Sequence, residues 1–437
     1  MKNNTVLKNF MKYVSLNVLG MIGLSCYILA DTFFVSGALG ATGLAALNFS
    51  ISIYCFIQGA GLMVGIGGAT KYTIFKSQNE HQKANAVFVH TILFGIVIGI
   101  FLLFSGVVLS NPIAKLLGAD DSTLPLTVTY LTTILCFSPC FIINNILLAF
   151  IRNDGNPRLS MSAMLLGSFS NIILDYIFMF PLSMGMFGAA FATGLAPIIS
   201  IGLLSIHFVK HKNNFWLTRC KVKIKYIADI VNLGLSAFVT EMSSGIVLII
   251  FNLVILKLEG NVGVAAYGIV ANLALVVIAI FTGIAQGIQP LASKGYGTSD
   301  TCMLRQILRH AVILSFAVAT IIYIVTILCS NNIIEAFNSE NNKDLIPIAT
   351  NGFRLYFIGF FFAGFNIISA AYLSATAKAK SAFVISVTRG CVAIIPLVFV
   401  LTLLFSMNGV WLSFTFSEMI TSIIAIIYLA KIRRTSI

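Results

Sequence analysis

Long apolar runs, each about twenty residues or more, recur along the whole chain and are broken by short clusters of Gly, Asn, Pro or charge. They fall at 14-36, 43-70, 86-110, 124-150, 159-181, 186-209, 228-256, 262-290, 305-329, 348-374, 382-406 and 407-430. A helix crossing a bilayer needs about 20 apolar residues, whereas a strand of a membrane barrel needs only about 10 with alternating polarity. The pattern therefore predicts an all-α integral membrane protein with twelve transmembrane helices. The junction around Ser406 to Gly409 is the tightest.

Composition agrees. Of 437 residues 58% are hydrophobic and 9% charged, with mean hydropathy +0.98, where a soluble domain carries about 25% charge. The net charge of +13 changes meaning once its positions are read. If the N-terminus is cytoplasmic, 22 of the 27 basic residues fall in segments on that side, including Lys2, Lys71, Arg152, Lys294, Lys378, Arg433 and Arg434. The other face keeps Lys115, Lys257 and Lys343 beside acids such as Asp120 and Glu340. This bias predicts cytoplasmic termini and an even number of spans. Anionic lipid suffices to explain the charge, so no nucleic-acid partner is expected.

The chain also repeats. GATGLAA at Gly40 matches GNVGVAA at Gly260, a spacing of 220, Gly67 matches Gly287, and Gly188 meets Gly409. The longest basic stretch lies between the copies. We expect an N-lobe over 1-209 (helices 1 to 6), a basic cytoplasmic linker over 210-227 and a C-lobe over 228-437 (helices 7 to 12). Six spans per copy make the repeats parallel, as in transporters whose bundles rock around a central cavity.

Ionisable residues inside the spans are few: Asp31, Asp175, Glu241, Arg354, Arg389 and Glu418. Such groups are costly in lipid and mark function or pairing. Asn171 and Asp175 are one helical turn apart and share a face, which Ser168 extends. Oxygen donors of this kind suit a hard monovalent cation or a proton. Structural hydrogen bonding between helices is the competing reading. Glu241, with Met242 and Asn252 on the same helix, could attract a cationic substrate or serve a neighbouring helix. Gln58, Asn272 and Gln286 add polar points, and Arg354 could pair with an acid or reach the headgroups. The eight Cys show no zinc or disulfide spacing. There is no Walker motif and no His beside a nucleophile, so we expect no enzyme and no cofactor beyond a coupling ion.

The chain resembles the multidrug and toxic compound extrusion (MATE) family, most of all its staphylococcal-type and DinF-like branch. The resemblance is carried by LADTFFVSGALGATGLAALN (29-48), GNPRLSMSAMLLGSFSNIILDYIFMF (155-180), GMFGAAFATGLA (185-196), TEMSSGIVLIIFN (240-252) and VAAYGIVANLALVVIAIFTGIAQGIQP (264-290). It implies a secondary antiporter that exports cationic amphipathic molecules for Na+ or H+ by alternating access, as a monomer in the bacterial cytoplasmic membrane. It also implies a cation site of Asp31, Asn171, Asp175 and Thr193 with the Ala189 carbonyl, and a coupling role for Glu241. A helix 10 acid found in one branch has no counterpart here. The alternative within the superfamily is a lipid-linked oligosaccharide or lipid flippase, whose cavity should carry several basic residues.

Overall fold

A computed structural model describes residues 2–337 and 344–435, and these contain helices and no strand. Glu340 and Lys343, used above for sidedness, lie outside the described residues, as do the side chains of Lys2, Arg433 and Arg434. The spans are α1 (Thr5–Gly40), α2 (Thr42–Ser77), α3 (His81–Leu116), α5 (Pro157–Met179), α6 (Gly185–Val209), α7 (Ile224–Gly260), α8 (Val262–Gly297) and α9 (Thr301–Leu328). Two further spans are each bent. α4 joins Leu124–Cys136 to Ser138–Asn153 at 48°, and α10 joins Leu345–Tyr356 to Gly359–Ala375 at 46°. Pro139 explains the first bend, because its ring cannot continue the preceding helix. The last apolar stretch, Ala379–Lys431, has 53 residues. At 1.5 Å per residue that is roughly 80 Å, far beyond a core of about 30 Å. It is broken at Ser406 (φ 50°, ψ −130°), which gives α11 and α12 on either side and twelve spans among the described residues.

The repeat is visible in the backbone. Left-handed φ values recur at Gly40 and Gly260, at Asn79 and Ser299, and at Gly155 and Ala377. Gly40 (φ 63°, ψ −155°) and Gly260 (φ 61°, ψ −150°) reverse the chain between α1 and α2 and between α7 and α8. A Cβ carries a steric penalty there, so glycine at both tips is a conformational requirement.

Each half builds its own core. One gathers Ile57, Tyr72, Phe88, Ile146 and Phe150; the other gathers Phe251, Phe281, Phe357, Phe360 and Trp411. The two lobes meet along α1 against α8 and α2 against α7. A Cβ on Gly234 would sit 1.8 Å from the Met63 carbonyl, and one on Gly67 2.0 Å from that of Ile230. These contacts lie at the end that holds Lys71, Lys76 and Asp154. At the other end, a Cβ on Gly40 or Gly260 would meet nothing within 4 Å. The lobes thus touch at the basic end, and the seam continues inward through Gly59 against Phe238 and Gly245 against Cys55.

The basic segment between the lobes is pinned to the N-lobe at Phe215, while most of its other residues are exposed. Phe215 is fully buried among Tyr72, Phe88, Phe150 and His207. Asp154 holds it by accepting from the Asn214 amide (2.9 Å), while also taking Lys76 Nζ (2.5 Å), Tyr72 Oη (2.9 Å) and His207 Nε2 (3.0 Å). His90 Nε2 accepts the Lys223 N–H at 2.8 Å. Burial by itself would raise the Asp154 carboxyl, but the donors from Lys76, Asn214 and His207 outweigh it and hold the group below its usual range. A depressed carboxyl contributes stability above the unfolded value near 3.9 and loses it as pH falls through the folded one. Trypsin cleavage at Arg219 and Lys221, expressed relative to cleavage of an unstructured peptide at the same pH, is therefore expected to stay constant from pH 8 to pH 6. Asp154→Asn should raise it several-fold at pH 7.5, and an unchanged rate in that variant would show that the clamp is immaterial.

Candidate functional site

The helix 5 stripe faces inward. Asn171 and Asp175 are 0% exposed and Ser168 4%. Asn171 Nδ2 points at Thr193 Oγ1 (3.3 Å). With its amide turned over it satisfies more of its surroundings: Nδ2 donates to Asp175 Oδ2 (3.0 Å) and Oδ1 accepts the Thr193 N–H (3.2 Å). Which way an amide faces is decided by such networks. Asp31 comes from α1 and Thr193 and Ala189 from α6, all buried. Asp31 is near enough to Asp175 for the two carboxylates to repel, and Oδ1 of each is buried without a donor. α5 and α6 thus join Asn171, Asp175 and Thr193, with Asp31 of α1 in electrostatic reach of Asp175 and Ala189 one helical turn before Thr193. Among the described residues no group of three His, Cys, Asp or Glu stands together; the donors here are oxygens, two of them carboxyl groups.

Tyrosines close this site, and the sequence reading missed them. Tyr130 of α4, 3% exposed, lies beside Asp31, Asp175 and Thr193. Tyr27 and Tyr54 share a short hydrogen bond. Tyr54 Oη accepts from Gln58 Nε2 (2.7 Å), and Gln58 Oε1 accepts from Asn145 Nδ2 (2.8 Å). This polar chain leads from the carboxylates into a central cavity lined by Tyr27, Tyr54, Gln58 and Thr193 from the N-lobe and Glu241 and Gln286 from the C-lobe. The available signal was tyrosine inside otherwise apolar spans, but without a second helix it has no direction.

The MatE family profile matches residues 18–177 and 237–400. The chain belongs to the MatE family. It is 26% identical to the multidrug export protein MepA of Staphylococcus saprophyticus over 99% of this chain and 96% of that protein, and 24% identical to MepA of Staphylococcus aureus over the same shares. Two solved structures share the fold. One is an outward-facing multidrug resistance MATE family transporter of the MOP superfamily, with TM-score 0.91, 20% identity and coverage of 98% and 96%. The other is a MOP superfamily transporter from Pyrococcus furiosus with reversed binding-pocket polarity, at TM-score 0.90, 21% identity and the same coverage. The second shows that this fold admits different pockets.

The remaining expected residues of this MatE chain divide. Glu241 is half-buried, lines the central cavity and has no ion-pair partner among the described residues. Gln58 and Gln286 line the same cavity. Met242, Asn252 and Asn272 are half-buried but are not among its lining residues. Arg354 does not line the cavity: it is exposed on α10 just before the bend and, among the described residues, pairs with no acid of the C-lobe. The C-lobe arginine that does so is Arg389. It lies in a π turn, Thr388–Val392, and its Nε meets Glu418 Oε1 at 2.8 Å. Asn366 Nδ2 donates to Glu418 Oε2 at 2.7 Å, and Ser422 Oγ to Asn366 Oδ1 at 3.0 Å. Arg152, counted above with the basic loops, is 2% exposed and lines the central cavity.

Proposed function

We propose that this MatE-family protein is a cation-coupled exporter of amphipathic organic cations, working by alternating access in the bacterial cytoplasmic membrane with both termini in the cytoplasm. The observation that carries the reading is the pair of buried carboxylates, Asp31 and Asp175, each with an oxygen lacking a donor. Ionised together, the two would repel each other in a site this dry. One Na+ or one H+ between them removes that repulsion and lets α1, α5 and α6 close up. Asn171 and Thr193 would supply neutral oxygens. The Ala189 carbonyl becomes available too, because the Thr193 N–H that bonds it within the helix is drawn toward Asn171 in the turned-over amide.

The exported molecule would sit in the central cavity with its positive end toward Glu241. Closing α1 and α5 around the coupling ion narrows that cavity from the N-lobe side. The ion and the substrate then favour different conformations, which is what coupling requires. The cytoplasmic gate would be the contact between the lobes at the basic end. Besides the glycine seam it contains Gln289 Nε2 donating to Thr70 Oγ1 (2.7 Å) and Lys71 against Asp229 (3.0 Å). Both bonds cross from one lobe to the other and would break on opening inward. Names of the MepA relatives support multidrug export. The flippase reading calls for several basic groups facing the cavity, and Arg152 alone is a poor match for a phosphate-rich headgroup.

The deciding measurement is efflux of a fluorescent cationic dye from vesicles under an imposed Na+ gradient and, separately, an imposed pH gradient. One gradient is expected to drive dye movement, with each charge crossing contributing about 2.3 kcal/mol per 100 mV. Dye that follows neither gradient would remove the exporter assignment.

A further inference from the structure

We propose that the floor of the central cavity is a binding site for a singly charged anion, a halide or a carboxylate, centred on Arg152. The guanidinium sits at the end of α4, 2% exposed, and among the described residues no acid forms an ion pair or hydrogen bond with it. Nη1 donates to Asn17 Oδ1 of the N-lobe (2.9 Å) and to Gln286 Oε1 of the C-lobe (2.7 Å). Both acceptors are neutral, so Nη1 is satisfied while the charge is not. Asp154, two residues along, cannot supply it, because its carboxylate is taken by Lys76, Tyr72, His207 and Asn214. Glu241 lines the cavity from α7 and forms no ion pair with Arg152.

A buried charge without a counter-charge costs several kcal/mol. The cavity wall offers what an anion would use. Arg152 Nε has no partner, and neither has Ser200 Oγ, a 2% exposed hydroxyl from α6; both residues line this cavity. Gln286 lines it as well, with its oxygen already committed to Arg152, so its Nε2 is the group left to donate. One guanidinium edge with a hydroxyl and an amide fits a monoanion; a phosphate would leave charge uncompensated. With Glu241 on the C-lobe side, the cavity then holds charges of both signs at separate points. A substrate bearing an ammonium and a carboxylate could span them. That last step rests on the exporter reading, whereas the anion site does not.

The test is thermal unfolding of the purified full chain in detergent at constant sodium and ionic strength, with sodium bromide or sodium propionate replacing sodium morpholinoethanesulfonate. A ligand that binds only the folded state raises the melting temperature saturably. We expect such a rise for the wild type, with its midpoint moved about tenfold or more upward in Arg152→Gln and several-fold upward in Ser200→Ala. Ser200→Ala decides the matter if Arg152→Gln does not purify. A rise with bromide alone identifies an inorganic counter-ion; a rise with propionate too shows that the site accepts a carboxylate. No saturable rise with either anion, or the same midpoint in wild type and Ser200→Ala, overturns the site. Binding and export separate the two proposals. Intact anion titration without dye export removes only the exporter reading, and export without titration removes only this one.

Discussion

Asp175→Asn is expected to insert and fold normally yet lose dye export by roughly 5- to 150-fold, the range that a coupling free energy of about 1–3 kcal/mol spans. The side chain is 0% exposed and Oδ1 has no donor. An amide of the same shape fills the space, and the Asn171 network can turn to meet it. What disappears is one of the two charges. Asp31 then faces a neutral neighbour, and binding an ion no longer relieves repulsion between α1 and α5. Abundance in the membrane and melting temperature should stay close to wild type. Export at the wild-type rate would refute the coupling role of this residue, whatever the fate of the fold.

Glu418→Gln should damage stability more than any other single change considered. Arg389 and Glu418 have side-chain exposures of 10% and 3%. Removing the acid leaves a guanidinium buried without its partner, a change that costs about 3–5 kcal/mol. Asn366 suffers as well: Gln offers one acceptor oxygen where Glu offers two, so Asn366 Nδ2 and Arg389 Nε compete for it, and the backbone carbonyl of residue 418 (2.8 Å) is the acceptor that Asn366 keeps in any case. A double variant, Arg389→Met with Glu418→Leu, removes both charges and is expected to recover most of the lost melting temperature. If Glu418→Gln melts with the wild type, Arg389 must reach water or another acceptor by a side-chain rotation, and the pair is not a structural clasp of the C-lobe.

These two acids were not equally legible in the chain. Asn171 and Asp175 announce themselves, because a spacing of four puts both on one face of a helix and lipid tolerates neither. Glu418 was visible as an ionisable residue in a span, but its partner was not, since Arg389 lies 29 residues away on another helix. Arg354 looked equally plausible from sequence, and the bend in α10 leaves it exposed while the π turn in α11 presents Arg389. Arg152 was misplaced for a similar reason. A basic residue at the end of an apolar run reads as a loop charge, and only the approach of α1 and α8 encloses it.

The number of spans, the repeat, the charged face and the polar face of α5 follow from local properties: length of apolar runs, helical period and the cost of charge in lipid. Each can be computed over a window of a few turns. Which groups meet across helices cannot, because crossing angles and bends arise from packing of the whole bundle. Tyr130 beside the carboxylates, Phe215 seated under Asp154 and Arg152 stranded without an acid are facts of that second kind.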